Sequence, residues 1–445
     1  MYVMPGDNTL TVVDLFAGPG GLSEGFWQAG FDVICSVEMD KWATETLKTR
    51  HIYHMLVKAG KVEEYNKYLY GEIDRCELLK YCHRDSLAMN EAIIQEKMSP
   101  DTRIDILSRI ENQLKRLGYN NLDVLIGGPP CELYSTIGRA RYSVMKDKYW
   151  QDERLGLYEE YAFFLEELQP QLFVFENVTG LLSAKLKDGS LVINRLIDRL
   201  RDAGYEIFEP YGKNYVLNAA EFGVPQMRKR VIIIGYRKDL HFGEGFYHKL
   251  YKEKSSKLLY TVRDAILDLP SLKCGEGSDR WYKPYDKEAH SEYAKQMRKD
   301  SPGVLNHKAR AHSEADRARY LYFIEQSLMG KRANILDLLN DAPELRPNHK
   351  NTKTFLDRFK VQVWDYPSNT ITSHLSRDGN YYIHPDPAQC RSFTVREAAR
   401  CQSFPDNYLF EGPRTAQFKQ VGSAVPPILS YSIADTLKKM IRERK

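Results

Sequence analysis

Short apolar runs alternate with amphipathic segments over the first 236 residues of the chain. Each run has the length of a buried strand and ends in a turn or a polar residue. The predicted strands are Thr11–Leu15, Phe31–Val37, Leu122–Ile126, Leu172–Phe175 and Arg230–Tyr236. The predicted helices between them are Lys41–Arg50, Leu157–Leu168 and Leu191–Ala203. This alternation indicates a doubly wound, mostly parallel α/β sheet, in which ligands lie outside the carboxyl ends of the strands.

Regular alternation is lost after Arg237, where segments become short, aromatic and rich in turn residues. Order returns at Thr394 and Glu397, which have the spacing of a capping box, and a last helix with a basic end is predicted from about Ile428 to Arg444. We therefore expect a large domain over 1–240 with a mostly helical insert at about 51–120, a smaller irregular domain over 241–390, and a returning segment, 391–445, whose helix completes the large domain. The insert has no readable motif and is interpreted as a surface elaboration.

Composition is that of an ordinary globular protein, with 42% hydrophobic and 28% charged residues, and excludes disordered, collagen-like and coiled-coil proteins. No apolar run approaches the roughly 18 residues that would cross a bilayer, and the N-terminus lacks the regions of a secretory signal. The seven cysteines are scattered and never spaced C-x-x-C, so neither a disulfide framework nor a zinc site is indicated. We expect a soluble protein of a reducing compartment.

Charge is distributed unevenly along the chain, whose net charge is +4. Residues 237–385 hold 26 Lys and Arg against 20 Asp and Glu, a net charge of +6, together with 8 of the 11 histidines. A basic module suits a polyanion, because phosphate contacts supply most non-specific affinity for nucleic acids. A solvated surface explains the same charge equally well, so both interpretations stay open.

The glycine-rich segment Asp14–Gly21 lies at a predicted strand-to-helix turn. Glycines let the backbone approach a ligand closely, and an acidic residue at the end of the next strand, here Glu38, can bind ribose hydroxyls. The glycines depart from the G-x-G-x-x-G spacing of dinucleotide sites, since they stand at Gly18, Gly20, Gly21 and Gly25. This spacing favours S-adenosylmethionine, which has a ribose but no pyrophosphate.

Other reactive side chains lie at or beside predicted strands. Cys131 follows the rigid pair Pro129-Pro130, which favours a nucleophile in the cleft over a small buried hydrophobe. Glu176 follows four apolar residues and is either a helix-cap partner or a site carboxylate with a tunable pKa. Strand alternation places Arg228 and Arg230 on the same side of the strand. The alternative is that they are exposed basic residues at the start of the strand.

Taken together, these segments resemble the cytosine-C5 DNA methyltransferases in order and spacing. The matching motifs are Asp14–Gly21, Gly128-Pro129-Pro130-Cys131, Phe175-Glu176-Asn177-Val178, Gln226-x-Arg228-x-Arg230, Arg396-Glu397-Ala398-Ala399-Arg400 with Phe404-Pro405-Asp406, and Gly422-Ser423-Ala424-Val425-Pro426-Pro427. The resemblance spans nearly the whole chain but omits 51–120 and most of 240–360. It implies the Rossmann-like sheet of the S-adenosylmethionine-dependent methyltransferases, joined to a smaller target-recognition domain.

The resemblance also implies catalytic roles. Cys131 adds through its thiolate to C6 of cytosine, and Glu176 hydrogen-bonds and protonates N3. Arg228 and Arg230 hold the O2 atom of the base and orient the carboxylate. C5 then takes the methyl group, and loss of its proton expels the cysteine. The base must first leave the helix, because stacking hides both ring atoms.

Cofactor and DNA contacts follow from the same resemblance. Phe16 and Met39 pack on adenine, and Glu38 binds the ribose of S-adenosyl-L-methionine. The other expected cofactor contacts are Gly18, Gly20, Gly21, Leu22, Pro129, Leu157, Ser423 and Val425, and the expected DNA contacts are Ser135, Arg139, Arg141, Thr370 and Ile371.

Parts of the sequence depart from the family's pattern. Glu132 stands where the family usually has glutamine, and Ser423 stands where it usually has asparagine. The acidic residue that grips the adenine amine has no clear position, with Asp85 and Asp105 as candidates. An ordinary β-branched strand is the alternative for Thr370-Ile371.

We therefore predict a DNA (cytosine-5-)-methyltransferase that acts on a flipped-out cytosine in a specific double-stranded sequence, through a covalent Cys131–C6 adduct, as part of a restriction-modification system. We expect a monomer in the bacterial cytoplasm, associated with the nucleoid, with double-stranded DNA as partner and no membrane or metal. A separate restriction endonuclease is left open as a partner.

An RNA (tRNA) cytosine-5 methyltransferase is the alternative, and the basic 237–385 segment favours DNA because a dedicated recognition domain implies readout in the grooves. Intact Cys131, Glu176 and Arg228 disfavour a non-catalytic DNA-binding relative. The glycine spacing and the Pro-Pro-Cys loop disfavour a nicotinamide oxidoreductase.

Overall fold

The computed structural model describes residues 9–82, 86–130, 156–210, 212, 215–243, 245–253, 259–347 and 356–444. The strands are β1 (Thr11–Leu15), β2 (Asp32–Glu38), β3 (Ile93–Gln95), β4 (Val124–Gly127), β5 (Leu172–Val178), β6 (Tyr205–Ile207), β7 (Val216–Asn218), β8 (Gln226–Met227), β9 (Lys229–Arg237), β10 (Gly277–Lys283), β11 (Val304–Lys308) and β12 (Ser368–Asn369).

The first eight described α-helices belong to the part of the chain that precedes the predicted small domain. They are α1 (Gly21–Gln28), α2 (Lys41–Lys58), α3 (Val62–Tyr70), α4 (Arg75–Tyr81), α5 (Ser86–Ala92), α6 (Arg103–Arg116), α7 (Leu157–Leu168) and α8 (Val192–Asp202). The other eight are α9 (Phe246–Glu253), α10 (Val262–Ile266), α11 (Glu292–Arg298), α12 (Glu314–Leu328), α13 (Ile335–Asp341), α14 (Val395–Cys401), α15 (Arg414–Ser423) and α16 (Pro427–Arg444).

Eight of the described strands form one sheet in the order β3-β2-β1-β4-β5-β9-β6, with β7 also paired to β9. Strands β1 to β5 pair with one another in parallel, which confirms the mostly parallel α/β sheet. Strand β9 runs antiparallel to β5, β6 and β7, so the isoleucine-rich strand enters the sheet in the opposite direction. Apolar residues on both faces of a strand suit such a central position, because helices cover both sides.

The sheet is buried between two apolar layers. Alternate residues of one strand serve both: Val13 packs with one layer and Val12 with the other. Helix α16 covers the second face and approaches α1 so closely that an added Cβ on Gly25 would lie 2.3 Å from Tyr431 N. The last helix, expected from about 428 to 444, therefore packs on the main sheet, and the division into domains stays a prediction.

The insert at about 51–120 is mostly helical, as expected, but it also contributes a strand to the sheet. Strand β3 pairs in parallel with β2, with Val37 opposite Ile94 and Glu38 opposite Gln95. Interpretation of the insert as a surface elaboration was therefore wrong for this strand. A strand of three residues is too short to show an alternation that could be read from the sequence.

The smaller region contains the β10–β11 antiparallel pair and a separate apolar core. Helix α14 begins with the predicted capping box, in which Glu397 N–H donates to Thr394 Oγ1 and Thr394 N–H donates to Glu397 Oε2. Helix α9, just past residue 240, packs in the core of the main sheet. The boundary at 240/241 stays a prediction.

Candidate active site

The carboxyl ends of β1, β2, β4 and β5 lie along one edge of the sheet, because these strands are parallel and adjacent. Asp14, Glu38, Gly128 and Glu176 stand at or beside these ends. The expected clustering of the candidate residues at strand ends is therefore what the fold produces.

The loop after β1 is a tight turn. Phe16, Gly18 and Gly20 have φ angles of 58°, 55° and 90°, in the left-handed region that favours glycine. The loop is also pinned from behind, since an added Cβ on Gly21 would lie 2.2 Å from Val425 O. Its backbone is consequently held close to the strand ends, where a ligand can approach it.

Glu38 is fixed at the end of β2 by main-chain donors. Its Oε2 accepts from Gly18 N–H at 2.8 Å and its Oε1 accepts from Asp40 N–H at 2.7 Å. Burial raises the pKa of this carboxyl, and these two hydrogen bonds oppose the rise. Beside it the apolar side chain of Met39 is 60% exposed. An acceptor for hydroxyls next to an uncovered apolar side chain fits the ribose and adenine of an adenosine group.

Asp14 is a buried carboxyl beneath the same loop, and sequence reasoning gave it no role. Burial raises its pKa to about 7, opposed by a hydrogen bond from the Ser23 hydroxyl. Within the described part of the chain its Oδ1 atom has no hydrogen-bond partner. An acidic residue inside the apolar run Thr11–Leu15 was the signal that could have singled it out.

Glu176 lies within β5, and Arg230 on the neighbouring β9 binds it. The Nε atom of Arg230 is 3.0 Å from Glu176 Oε1, and Glu176 is only 8% exposed. Burial raises the pKa of Glu176, while Arg230 and then Arg228 oppose the rise. A Cβ on Gly128 would lie 2.7 Å from Glu176 Oε2, so the carboxyl sits against the loop that follows β4.

Asn177 connects that loop to β5. Its side-chain amide donates to Pro129 O at 3.2 Å, and its own oxygen accepts from Val178 N–H. Both partners are backbone groups, so the amide fixes the path of the chain toward residue 131. The predicted nucleophile Cys131 and the predicted DNA contacts Ser135, Arg139 and Arg141 lie outside the described residues.

Arg228 differs from Arg230 in its surroundings. It is fully buried, and its guanidinium donates to the carbonyl oxygens of Ile371, Gly422 and Ala424. Regular strand pairing is interrupted at this residue, which lies between β8 and β9, so alternation alone could not give its direction. Its predicted contact with the O2 atom of a base stays a prediction.

The remaining predicted residues are only partly open to the cleft. Thr370 donates from its hydroxyl to Met227 O at 2.6 Å, and Ile371 beside it is buried. Leu22 and Val425 are also buried, 4% and 7% exposed, in the core of the sheet. Ser423 is exposed and donates to Gln420 O, whereas Leu157 begins α7 and is half-buried.

One acidic residue at this edge was missed because β3 was not predicted. Glu96 follows β3 directly, and its N–H donates to Glu38 O at 3.2 Å. Asp105 is instead exposed on α6, where it pairs with Arg109, and Asp85 lies outside the described residues. Glu96 thus joins Asp105 as a described candidate for the adenine amine.

No group of three or more His, Cys, Asp or Glu side chains suited to a metal occurs among the described residues. Within the same ranges, none of the helices combines the length and the hydropathy that a transmembrane span requires.

Comparison with known proteins places this geometry in a family. The model of the C-5 cytosine-specific DNA methylases matches residues 10–82 and 96–439. The type II methyltransferase M.Bpa9945I of Bacillus paralicheniformis is 40% identical over 454 residues, covering 97% of this chain and 99% of the relative. The type II methyltransferase M.AgeI of Thalassovita gelatinovora is 29% identical over 485 residues, covering 96% and 99%.

A solved structure has the same fold. The crystal structure of a DNA modification methyltransferase encoded within an E. coli prophage aligns with a TM-score of 0.64 at 23% identity, covering 98% of this chain and all of the other. Together with the matched family model and the 40% identical relative, the strand-end site identifies the chain as a member of the C-5 cytosine-specific DNA methylase family, a DNA (cytosine-5) methyltransferase of the restriction-modification type.

Proposed function

We propose that this enzyme transfers a methyl group from S-adenosyl-L-methionine to C5 of a cytosine flipped out of double-stranded DNA, through a covalent bond between Cys131 and C6. The observation that carries the proposal is the buried Glu176 carboxyl, held by Arg230 against Gly128 on the loop that leads to Cys131.

The environment of Glu176 suits a general acid. Burial raises its pKa, so that a larger fraction of the carboxyl is protonated near neutral pH than in water. A protonated carboxyl can donate to N3 of cytosine and neutralise the negative charge that develops when a thiolate adds to C6. Arg230 keeps the carboxyl oriented and supplies positive charge where the ring becomes electron-rich.

Cys131 is the proposed nucleophile. Its sulfur bonds to C6, and the C5–C6 π electrons become available to C5. C5 would then bond to the methyl group as the methyl–sulfur bond of the cofactor breaks and S-adenosylhomocysteine leaves. A base then removes the C5 proton, and the electrons of that bond restore the double bond as the C6–S bond breaks. Asn177 supports this role by fixing Pro129, two residues before the cysteine.

The residues at the ends of β1 and β2 fit the cofactor. Glu38 offers a fixed acceptor for ribose hydroxyls, Met39 offers apolar surface to adenine, and the turn at Gly18 and Gly20 brings the backbone close. When bound, S-adenosylmethionine supplies an electrophilic methyl group. We propose Glu96 rather than Asp105 for the adenine amine, because Glu96 lies beside Glu38.

The basic segment 237–385 supports duplex DNA as the substrate over RNA, because a dedicated recognition domain implies readout in the grooves. The base is proposed to leave the helix, since C5 and C6 are inaccessible within stacked DNA. Protection of DNA against a separate restriction endonuclease is the proposed biological role.

Covalent trapping tests this proposal. Plasmid DNA is first methylated with labelled S-adenosylmethionine, and the methylated position is mapped. A duplex with 5-fluorocytosine at that position is then incubated with wild type, Cys131→Ala and Cys76→Ala, where Cys76 is an exposed cysteine that serves as the matched control. We expect a denaturation-resistant adduct with wild type and Cys76→Ala, because fluorine at C5 blocks release, and none with Cys131→Ala.

The other outcomes each exclude part of the proposal. An adduct formed only with structured RNA would establish the alternative RNA substrate. Methylation of cytosine without any trapped adduct, or an adduct with Cys131→Ala, would remove Cys131 as the nucleophile.

A further inference from the structure

A buried polar cluster lies between the proposed base site and the proposed cofactor loop. It consists of Gln226, Arg228 and Gln402, all with no exposed surface, and we name it the Ile371 clamp. Gln226 and Gln402 have no role in the proposed function. The clamp holds the main-chain N–H and the main-chain carbonyl oxygen of Ile371, next to Thr370.

The first connection is a relay of two side-chain amides. Gln226 Oε1 accepts from Ile371 N–H at 2.7 Å, and Gln226 Nε2 donates to Gln402 Oε1 at 2.8 Å. Gln402 Nε2 in turn donates to Val421 O at 2.6 Å and to Ala424 O at 3.3 Å. The relay therefore connects Ile371 N–H to the last turn of α15 and its C-cap, residues 421–424.

The second connection runs through Arg228. Its guanidinium donates to Ile371 O at 2.6 Å and to Ala424 O at 2.7 Å, with a longer contact of 3.3 Å to Gly422 O. Both connections thus join the main chain of Ile371 to the same turn, residues 421–424. Strand β12 carries the preceding residues, Ser368 and Asn369, and pairs with β8 beside the clamp.

The turn at 421–424 also contacts the glycine-rich loop. An added Cβ on Gly21 would lie 3.1 Å from Ala424 Cβ, and one on Gly18 would lie 3.9 Å from Ser423 Oγ. On its other side, an added Cβ on Gly422 would lie 2.2 Å from Ser373 N. The loop therefore lies against the turn, and the turn lies against the segment after Ile371. Little space is left for any of the three to move independently.

We infer that the Ile371 clamp couples cofactor binding to DNA binding, with Gln226, Gln402 and Arg228 as positioning residues. This inference rests on the proposed function, because it takes Thr370-Ile371 as part of the base site and the glycine-rich loop as the cofactor site. Contacts of the cofactor with the loop restrict the turn further, and the clamp passes that restriction to the main chain of Ile371. DNA then meets a base site that is already ordered, so the two ligands bind with positive cooperativity.

Buried hydrogen bonds are suited to such coupling. In surroundings without water, breaking one connection leaves a donor or acceptor without a partner, so movement of the turn alone is costly. Because the amide relay and Arg228 both join them, the turn and the main chain of Ile371 move as one unit.

The test measures coupling rather than stability. The dissociation constant of the mapped duplex is determined with and without saturating S-adenosylhomocysteine for wild type, Gln226→Met and Gln402→Met. Each substitution keeps the volume of the side chain and removes the relay at one of its two amides, and neither changes Arg228. The control is Gln113→Met, since Gln113 is a buried glutamine on α6 that donates to Ile34 O outside the clamp.

We expect S-adenosylhomocysteine to tighten DNA binding by about fivefold or more in wild type and Gln113→Met. In each clamp variant this factor should fall to below twofold, while the two separate affinities change less. Coupling that persists in both variants, or that is absent in wild type, would overturn the inference. If one of the two variants does not fold, the other decides the question alone.

Failure of the inference is distinguishable from failure of the proposed function. A wild type that binds neither S-adenosylhomocysteine nor the duplex contradicts the proposed function itself. A wild type that methylates cytosine with unchanged coupling in the variants contradicts only the clamp.

Discussion

The proposed cofactor side and the proposed base side of this site each contain a carboxyl on a parallel strand, but the two carboxyls are held differently. Glu38 is half-buried and accepts from the N–H groups of Gly18 and Asp40, which belong to the β1–β2 unit and the turn after it. Glu176 is buried and is held by the guanidinium of Arg230 from an antiparallel strand. Fixed main-chain donors suit a group that binds an uncharged sugar. A positively charged side chain suits a group whose partner changes charge during the reaction.

The largest expected effect is at Glu176. Glu176→Gln keeps the shape of the side chain but removes its acidic proton, so the rate of methyl transfer should fall by about 10²–10⁴-fold. Single-turnover kinetics measures this loss, and the dissociation constants for the duplex and for S-adenosylhomocysteine should change by less than about threefold. A loss of less than tenfold in rate would show that N3 does not depend on this carboxyl.

A smaller and different effect is expected at Glu38. Glu38→Gln removes a charged acceptor, which should weaken S-adenosylhomocysteine about tenfold, in keeping with about 1.5 kcal/mol for a hydrogen bond to a charged group. The rate at saturating cofactor should stay nearly unchanged. Calorimetry and steady-state kinetics measure both, with Glu77→Gln, an exposed carboxyl on α4, as the control. Loss of rate without loss of affinity would contradict the division between the two sides.

The third effect is on stability rather than on activity, and it concerns the pH dependence of the free energy of unfolding. The pKa of Asp14 is raised by burial from 3.8 to about 7, so the folded protein binds a proton there that the unfolded chain releases. Asp14 therefore stabilises the fold at low pH, and this contribution is lost as pH rises from about 4 to 7, by up to about 1.4 kcal/mol per pH unit. Above 7 the contribution no longer changes with pH.

Asp14→Asn should remove that slope. Urea unfolding of wild type and variant at pH 5, 6, 7 and 8 measures the difference in stability, which we expect to change between pH 5 and 7 and to level off by 8. A difference that is independent of pH would show that Asp14 is already ionised in the folded protein at pH 5.

Much of the large domain could be predicted from sequence because its signals are local. Strand β1 and helix α7 have the predicted bounds, and the last helix begins within one residue of the prediction. The capping box at Thr394 and Glu397 was predicted for the same reason, since its hydrogen bonds join residues three apart. The glycine-rich loop and Glu38 also belong to this group, because a strand, its turn and the next strand form one β–α–β unit.

Other features depend on partners that are far apart in the chain. The direction of β9 in the sheet places Arg230 beside Glu176, although 54 positions separate them. Strand β3 was missed because two isoleucines and a glutamine form a strand only when β2 offers an edge to pair with. Burial of Asn306 and His307 likewise follows from the pairing of β11 with β10 and from contacts with residues beyond 390.

The sequence by itself determined the order of strands and helices, the family and the identity of the side chains at each strand end, because these are set by periodicity and by residues adjacent in the chain. Only the tertiary structure decided the environment of each side chain. It buried Arg228 among the carbonyls of Ile371, Gly422 and Ala424 and left Arg230 with Glu176, although the two arginines are two residues apart. The physical reason is that burial, pKa and hydrogen-bond partners depend on segments that meet only after the chain has folded.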